Sequence, residues 1–169
     1  TALFPIGNAS ATKLSPVRGR RSAIKLFEFF QSIFPPSEHG LDFQNILPEL
    51  PVNHAIILFS DLMGDTWQRT VNQLRGRGHE VTVAHILSPD EVNPAFNGDF
   101  RLIDSETSEE VEITADVQTL ERYTAHIVEW QSFWMKQCRA RQITYLPITS
   151  ALPLEDLLFS TLPAQGLLR

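Results

Sequence analysis

The sequence predicts an α/β fold built on a mostly parallel sheet, and three observations carry that reading. Residues 56–62 read Ile-Ile-Leu-Phe-Ser-Asp-Leu, a short apolar run that stops on a Ser-Asp pair. A run of that kind fits a strand buried on both faces, as in a parallel sheet. A helical pattern follows it, and then the β-branched run 81–87, Val-Thr-Val-Ala-His-Ile-Leu. Strand, helix and strand thus succeed one another in about 33 residues, the length of a parallel crossover unit.

In chain order, residues 2–6 and 11–14 read as short extended pieces joined by the turn pair Gly7-Asn8. Ser22 is placed to cap a helix running to Phe34, with Ile24, Phe27, Phe30 and Phe34 on one face, and Pro35-Pro36 ends it. Phe43, Ile46, Leu47 and Leu50 repeat at helical offsets between Pro residues, so a second, short helix is expected there. The strand at 55–59 follows. Asp65 is placed to cap the next helix, with Trp67, Val71 and Leu74 inward, Arg75 and Arg77 at its C-terminal end and Gly78 as a left-handed stop. Beyond the second strand, Phe100–Ile103 and 111–113 flank an acidic turn and predict an inserted hairpin near 96–113. Thr114 is then expected to cap the longest helix, with Asp116 in its first turn. Val117, Leu120, Tyr123, Ile127, Trp130, Trp134 and Cys138 track one core-facing side. A strand at 143–148 and a helix at 154–162 close the chain.

The 169 residues are 43% apolar and 20% charged, which suits one domain with a real core. A net charge of −6 disfavours a general nucleic-acid role, and the local group Arg18, Arg20, Arg21 and Lys25 is too short to be a footprint for DNA. Cys138 is the single cysteine, so no disulfide forms within the chain, and its helical position marks it as a small buried hydrophobe. No stretch reaches the length of a membrane span, and no signal peptide is visible. The cytoplasm is the expected compartment.

No reaction is written in the sequence. Ser60 lacks the Gly-x-Ser-x-Gly setting of a hydrolase nucleophile. His39, His54, His79 and His126 have no metal-ligand spacing with one another or with Cys138, and mid-strand His85 reads as a core or edge residue. Gly76-Arg-Gly78 follows a helix instead of opening one, so it is not a phosphate loop. Asp61 stands out for its place: ligands of parallel sheets bind just beyond the carboxyl ends of strands.

Five segments then carry a resemblance: Pro16-Val-Arg-Gly-Arg-Arg21, Ile57-Leu-Phe-Ser-Asp-Leu62, Arg77-Gly-His-Glu-Val-Thr-Val83, His85-Ile-Leu-Ser-Pro-Asp-Glu91 and the hairpin Phe100-Arg-Leu-Ile-Asp-Ser-Glu-Thr-Ser-Glu-Glu-Val111. In that order the chain resembles the C-terminal part of bacterial Domain-of-Unknown-Function 58 (DUF58) proteins, which are similar to the von Willebrand factor A domain. The resemblance implies one von Willebrand factor A-like, Rossmann-like domain over 1–169, doubly wound, with one antiparallel edge strand. The chain opens Thr-Ala-Leu-Phe without Met, and the resemblance implies that the first central strand is lacking, which would expose apolar faces and unpaired backbone: either the chain is a fragment, or another copy fills the gap, or the chain packs differently.

Many such domains carry a metal-ion-dependent adhesion site of three loops, in which hard oxygens hold Mg²⁺ and a partner carboxylate completes the shell. Asp61 matches the Asp after the fourth strand. Leu41 stands where the family has a ligating Thr, and the Asp-x-Ser-x-Ser loop has no counterpart. The expectation is therefore a non-enzymatic protein-interaction domain with a degenerate or incomplete Mg²⁺ site. Its partner-binding edge would be Ser60, Asp61, Gly64 and Asp65, with the acidic turn 104–110 on the same edge. The resemblance names a MoxR-type AAA ATPase as partner and membrane anchoring by upstream segments. Two alternatives stand beside it: a metal-dependent enzyme completed by upstream residues, and a purely structural module.

Overall fold

Short apolar strands alternating with amphipathic helices can bury their backbone only by pairing in a sheet and covering it with helices. The computed structural model describes residues 2–5, 13–19, 22–32, 43, 46–64, 66–94, 98–104 and 108–167. By its internal contacts the chain divides into two compact units, Thr1–Pro51 with Leu102–Val111, and Val52–Arg101 with Glu112–Arg169.

In the first unit, Leu3 and Leu14 form an isolated antiparallel bridge through both main-chain bonds, one residue from each expected extended piece; residues 6–12, with the Gly7-Asn8 turn, lie outside the described residues. Helix α1 spans Ala23–Ser32. The Ser22 hydroxyl does not cap it but donates to the Arg18 carbonyl at 3.0 Å. Ile24, Phe27 and Phe30 share a face as expected, and all three are exposed; Phe34 lies outside the described residues. In the short helix expected around residues 43–50, Leu47–Glu49 form a 3₁₀ turn, where Pro48 removes an amide donor. Phe43 and Leu50 on either side of it are buried. Lys13 pairs with Glu49 across this unit.

The second unit holds the sheet. Strands β1 (Ala55–Ser60), β2 (Glu80–Leu87) and β5 (Thr144–Thr149) are parallel in the order β1-β2-β5. The fold is thus the α/β, parallel-sheet, Rossmann-like class that the sequence predicts. Helix α2 (Trp67–Gly76) joins β1 to β2, and α4 (Val117–Ala140) leads into β5. Both crossovers step the same way across the sheet, so right-handedness puts both helices on one face. Their C-terminal ends are tied there: Arg75 Nε donates to the Arg141 carbonyl at 3.0 Å and Arg141 Nε to Asn72 Oδ1 at 2.5 Å.

Register decides what lies under the helices. Leu58, Val83 and Tyr145 align, as do Ser60, His85 and Pro147. Trp130 of α4 meets His85 edge-on at 4.7 Å, so α4 covers this face. Trp67, Val71 and Leu74 of α2 and Ile127, Trp134 and Cys138 of α4 are buried. Val117 and Tyr123, placed on the same stripe by periodicity, are exposed instead. On the opposite face β1 presents Ile57 and Phe59, 54% and 63% exposed, and no described strand pairs with its outer edge.

Strands β3 (Gly98–Ile103) and β4 (Glu110–Ala115) form a separate two-stranded sheet, the expected hairpin. β4 runs further than the sequence suggests and absorbs Thr114, whose hydroxyl donates to Asp99 Oδ1 at 2.7 Å. Capping of α4 therefore passes from Thr114 to Asp116, whose carboxylate accepts from the Thr119 amide at 2.7 Å. That bond holds the Asp116 carboxyl below its ordinary pKa. The last helix is interrupted: α5 (Leu154–Asp156) and α6 (Leu162–Ala164) flank a π stretch, Leu157–Thr161.

The stop of α2 illustrates how local chemistry fixes these bounds. Gly78 N–H bonds to the Arg75 carbonyl at 2.9 Å and His79 N–H to the Leu74 carbonyl at 3.3 Å, a Schellman closure. Gly78 has φ +78°, and a Cβ there would meet Asn53 Oδ1 at 2.2 Å. Gly78→Ala is expected to cost about 1–2 kcal/mol for the left-handed backbone alone, with the Asn53 side chain displaced. Urea unfolding checks it; a midpoint unchanged from the parent would mean that the closure opens without penalty.

Candidate functional site

The strand-end position of Asp61 singles it out, and the loop around it is built by its own side chains. Ser60 Oγ accepts from the Leu62 amide at 2.9 Å, and Asp61 Oδ1 accepts from the Met63 amide at 3.0 Å. The Ser60 hydroxyl donates to Asp61 Oδ1 at 3.4 Å. Ser and Asp favour such turns because short polar side chains reach main-chain amides two residues on. Between them Leu62 adopts φ +58° and is only 1% exposed. A left-handed leucine costs about 1–2 kcal/mol, and its burial offsets that. Trp67 Nε1 donates to the Met63 carbonyl at 2.8 Å and fastens the loop to α2. Gly64 takes φ +95°, with nothing near a built Cβ, so its requirement is conformational. Asp65 lies outside the described residues; the adjacent N-cap position of α2 is Thr66, without a side-chain cap. Leu41 and the turn residues 105–107 also lie outside.

The outcome is a loop tied to its own main chain and to α2 that leaves the Asp61 carboxylate exposed, with one oxygen committed to Met63. The neighbouring strand end is equally well held. Ser88 and Glu91 form a capping box at helix α3 (Pro89–Val92): Ser88 Oγ accepts from the Glu91 amide at 3.2 Å and Glu91 Oε2 from the Ser88 amide at 2.5 Å. Tyr123 Oη donates to the Glu91 carbonyl at 2.9 Å.

Between these loops sits His85, a residue that sequence reasoning left as a core or edge histidine. It is 1% exposed, and its Nδ1 is 2.6 Å from Tyr145 Oη. Its Nε2 has no partner in hydrogen-bond geometry. Burial lowers its pKa, and the Asp61 main chain and the Asp61 and Glu91 carboxylates pull the other way with less effect. Burial, with the nearby Cys138, raises the Tyr145 phenol. The Cys138 thiol is pushed up to about 11 by burial, against the pull of Arg141, so it is an inert core group. No sequence signal pairs His85 with Tyr145: they lie on different strands, and parallel register is not legible in either one.

Mg²⁺ demands near-octahedral oxygen coordination. Among the described residues, no group of three or more His, Cys, Asp and Glu could hold a metal ion. Among the described residues of the loop there are one carboxylate and one hydroxyl, both engaged in holding its shape. That donor set does not fit Mg²⁺.

No helix among the described residues is long and apolar enough to cross a membrane. Neither the curated proteins nor the solved structures include a match to the chain. The family described as Protein of unknown function DUF58 matches residues 2–132, the span that carries the Ser60–Met63 loop, His85, the hairpin and most of α4, and the chain belongs to that family.

Proposed function

We propose that this chain is a non-enzymatic protein-interaction domain of the von Willebrand type, which meets its partner at the carboxyl end of β1. The observation that supports this is the Ser60–Met63 loop: two side chains and one left-handed leucine are committed to presenting a single exposed carboxylate, Asp61. Pre-organised charge of that kind suits recognition, because little ordering entropy is lost on contact. Ser60, Asp61 and Gly64 form the contact edge, and Asp61 acts as a carboxylate contact without a metal. The resemblance makes a MoxR-type AAA ATPase the first partner to test.

Calorimetric titration of such an ATPase with the 169-residue chain is the experiment. Asp61→Ala is expected to weaken binding about tenfold, or roughly 1.4 kcal/mol. Asp61→Asn keeps an acceptor for the Met63 amide while removing the charge, so it separates loop shape from charge. Chelation of divalent metal with EDTA should leave the affinity of this contact unchanged once nucleotide effects on the ATPase are controlled. Equal affinity for parent, Asp61→Ala and Asp61→Asn would sink the reading and favour a structural module.

A further inference from the structure

Helix α4 carries a second row of side chains beside the one that covers the sheet. Positions 117, 121, 124, 128, 131 and 135 recur at alternating steps of four and three, the spacing of a seam that meets another helix. Val117, Val128 and Met135 on that row are each more than half exposed. The row lies about a third of a turn from the buried Ile127, Trp134 and Cys138, so covering the sheet does not account for it. With Asn93 and Pro94, its N-terminal half lines an open groove of about 630 Å³.

The residues on and beside this row say what fits it. Laid antiparallel on itself about position 126, α4 sets Val117 against Met135 of the second copy, and Thr124 against Val128 of the second copy. The polar members match as well: Glu121 faces Gln131 of the second copy, whose amide is a donor for the carboxylate. On one rim Glu129 meets Arg122 of the second copy, and Asp116 meets Lys136 of the second copy. All four of these positions are exposed. Ala125 and Ser132 on the same side are small, which lets the helices approach and the longer side chains bridge. Each acid thus faces a base or an amide. A parallel pair would set Glu121 beside Glu121, which like-charge repulsion disfavours.

We infer that α4 pairs antiparallel with α4 of a second copy along this row, burying Val117, Val128 and Met135 and filling the groove. The contact is a single pair of 24-residue helices. That is small for a permanent interface, so the dimer forms reversibly. The pairing uses no residue of the Ser60–Met63 edge, and neither reading falls with the other.

Sedimentation velocity of the 169-residue chain over rising concentration is the test. A monomer–dimer equilibrium with a Kd on the order of 10–100 μM is expected. Val128→Glu places an unpaired carboxylate in the seam of each copy and should weaken dimerisation about tenfold or more. Glu129→Arg confronts Arg122 with a like charge and should weaken it about threefold to tenfold. Adding Arg122→Glu to that variant reverses both signs and should restore the parent Kd. Residues 122 and 129 stand two turns apart on one helix, beyond the reach of an intrahelical pair, so restoration reports contact between copies. Both are exposed positions, and these charge variants carry the test should Val128→Glu fail to fold. A chain that stays monomeric at every concentration would overturn the pairing and leave the row to a helix of another protein. A dimer untouched by Val128→Glu would overturn it too, by placing the interface on another face such as the outer edge of β1. A double variant no tighter than Glu129→Arg alone would do the same for the antiparallel register.

Discussion

Trp134→Ala is expected to remove about 3–5 kcal/mol of stability, the range for truncating a buried aromatic side chain. A domain of this size has only about 5–15 kcal/mol in total, so the variant should unfold at far lower urea or not accumulate at all. Trp134 is 4% exposed on the inner face of α4, edge-on to Phe133 at 5.7 Å and one turn before the fully buried Cys138. Its loss would open a cavity that α4 cannot close, because Arg141 pins the end of that helix to Asn72 of α2. A second substitution sharpens the argument. Trp134 Nε1 is buried without a partner, and an unsatisfied buried donor costs about 1–3 kcal/mol. Trp134→Phe keeps most of the ring area and deletes that donor. It should therefore cost less than about 1.5 kcal/mol, as volume-conserving swaps do. Urea unfolding followed by circular dichroism separates the two. Similar midpoints for Trp134→Ala and Trp134→Phe would show that α4 is not held to the sheet by this side chain.

The stripe to which Trp134 belongs is legible in the sequence. Trp67, Val71, Leu74, Ile127, Trp134 and Cys138 were placed inward by spacing alone, and all are buried. Spacing works there because each helix has one sheet to cover, and burial on that face repeats every three or four residues. The strand at 55–59 also extends just one residue further, to Ser60. Spacing gives out where a competing local bond or a distant partner decides. Thr114 looked like a helix cap, but Asp99 claims its hydroxyl and extends β4. Val117 and Tyr123 keep the stripe's phase, yet both are exposed. At the candidate site, the place of Asp61 followed from its position at a strand end. The left-handed Leu62 did not, since leucine rarely adopts that conformation. Nor did His85 beside Tyr145, a contact between residues 60 apart in the chain.

The two buried histidines make stability fall with acid in a window of their own. His85 and His79 are both enclosed, and burial lowers the pKa of each. His79 Nδ1 accepts from the His54 amide at 3.3 Å, a bond that a proton on that nitrogen would break. The sign follows from linkage. In the unfolded chain each imidazole titrates near 6.5, and in the folded chain lower, so between those values the unfolded state holds more protons. The stabilising contribution is fully present above about pH 6.5 and is lost as pH falls through the folded values. Each histidine can change stability by at most about 1.4 kcal/mol per pH unit, and the two together by about 2.7. The melting temperature is therefore expected to be level from about pH 8 to about pH 7 and to drop from about pH 6.5 downward, before ordinary carboxylates begin to titrate. Replacing His79 and His85 together by glutamine should flatten the curve between about pH 6.5 and about pH 5, whatever it costs at neutral pH, because neither group then takes up a proton on unfolding. Differential scanning calorimetry of the parent and the double variant measures this directly. A parent curve that is level to pH 5, or a double variant that keeps the full drop, would mean that the two imidazoles accept protons in place and that their burial exacts no penalty.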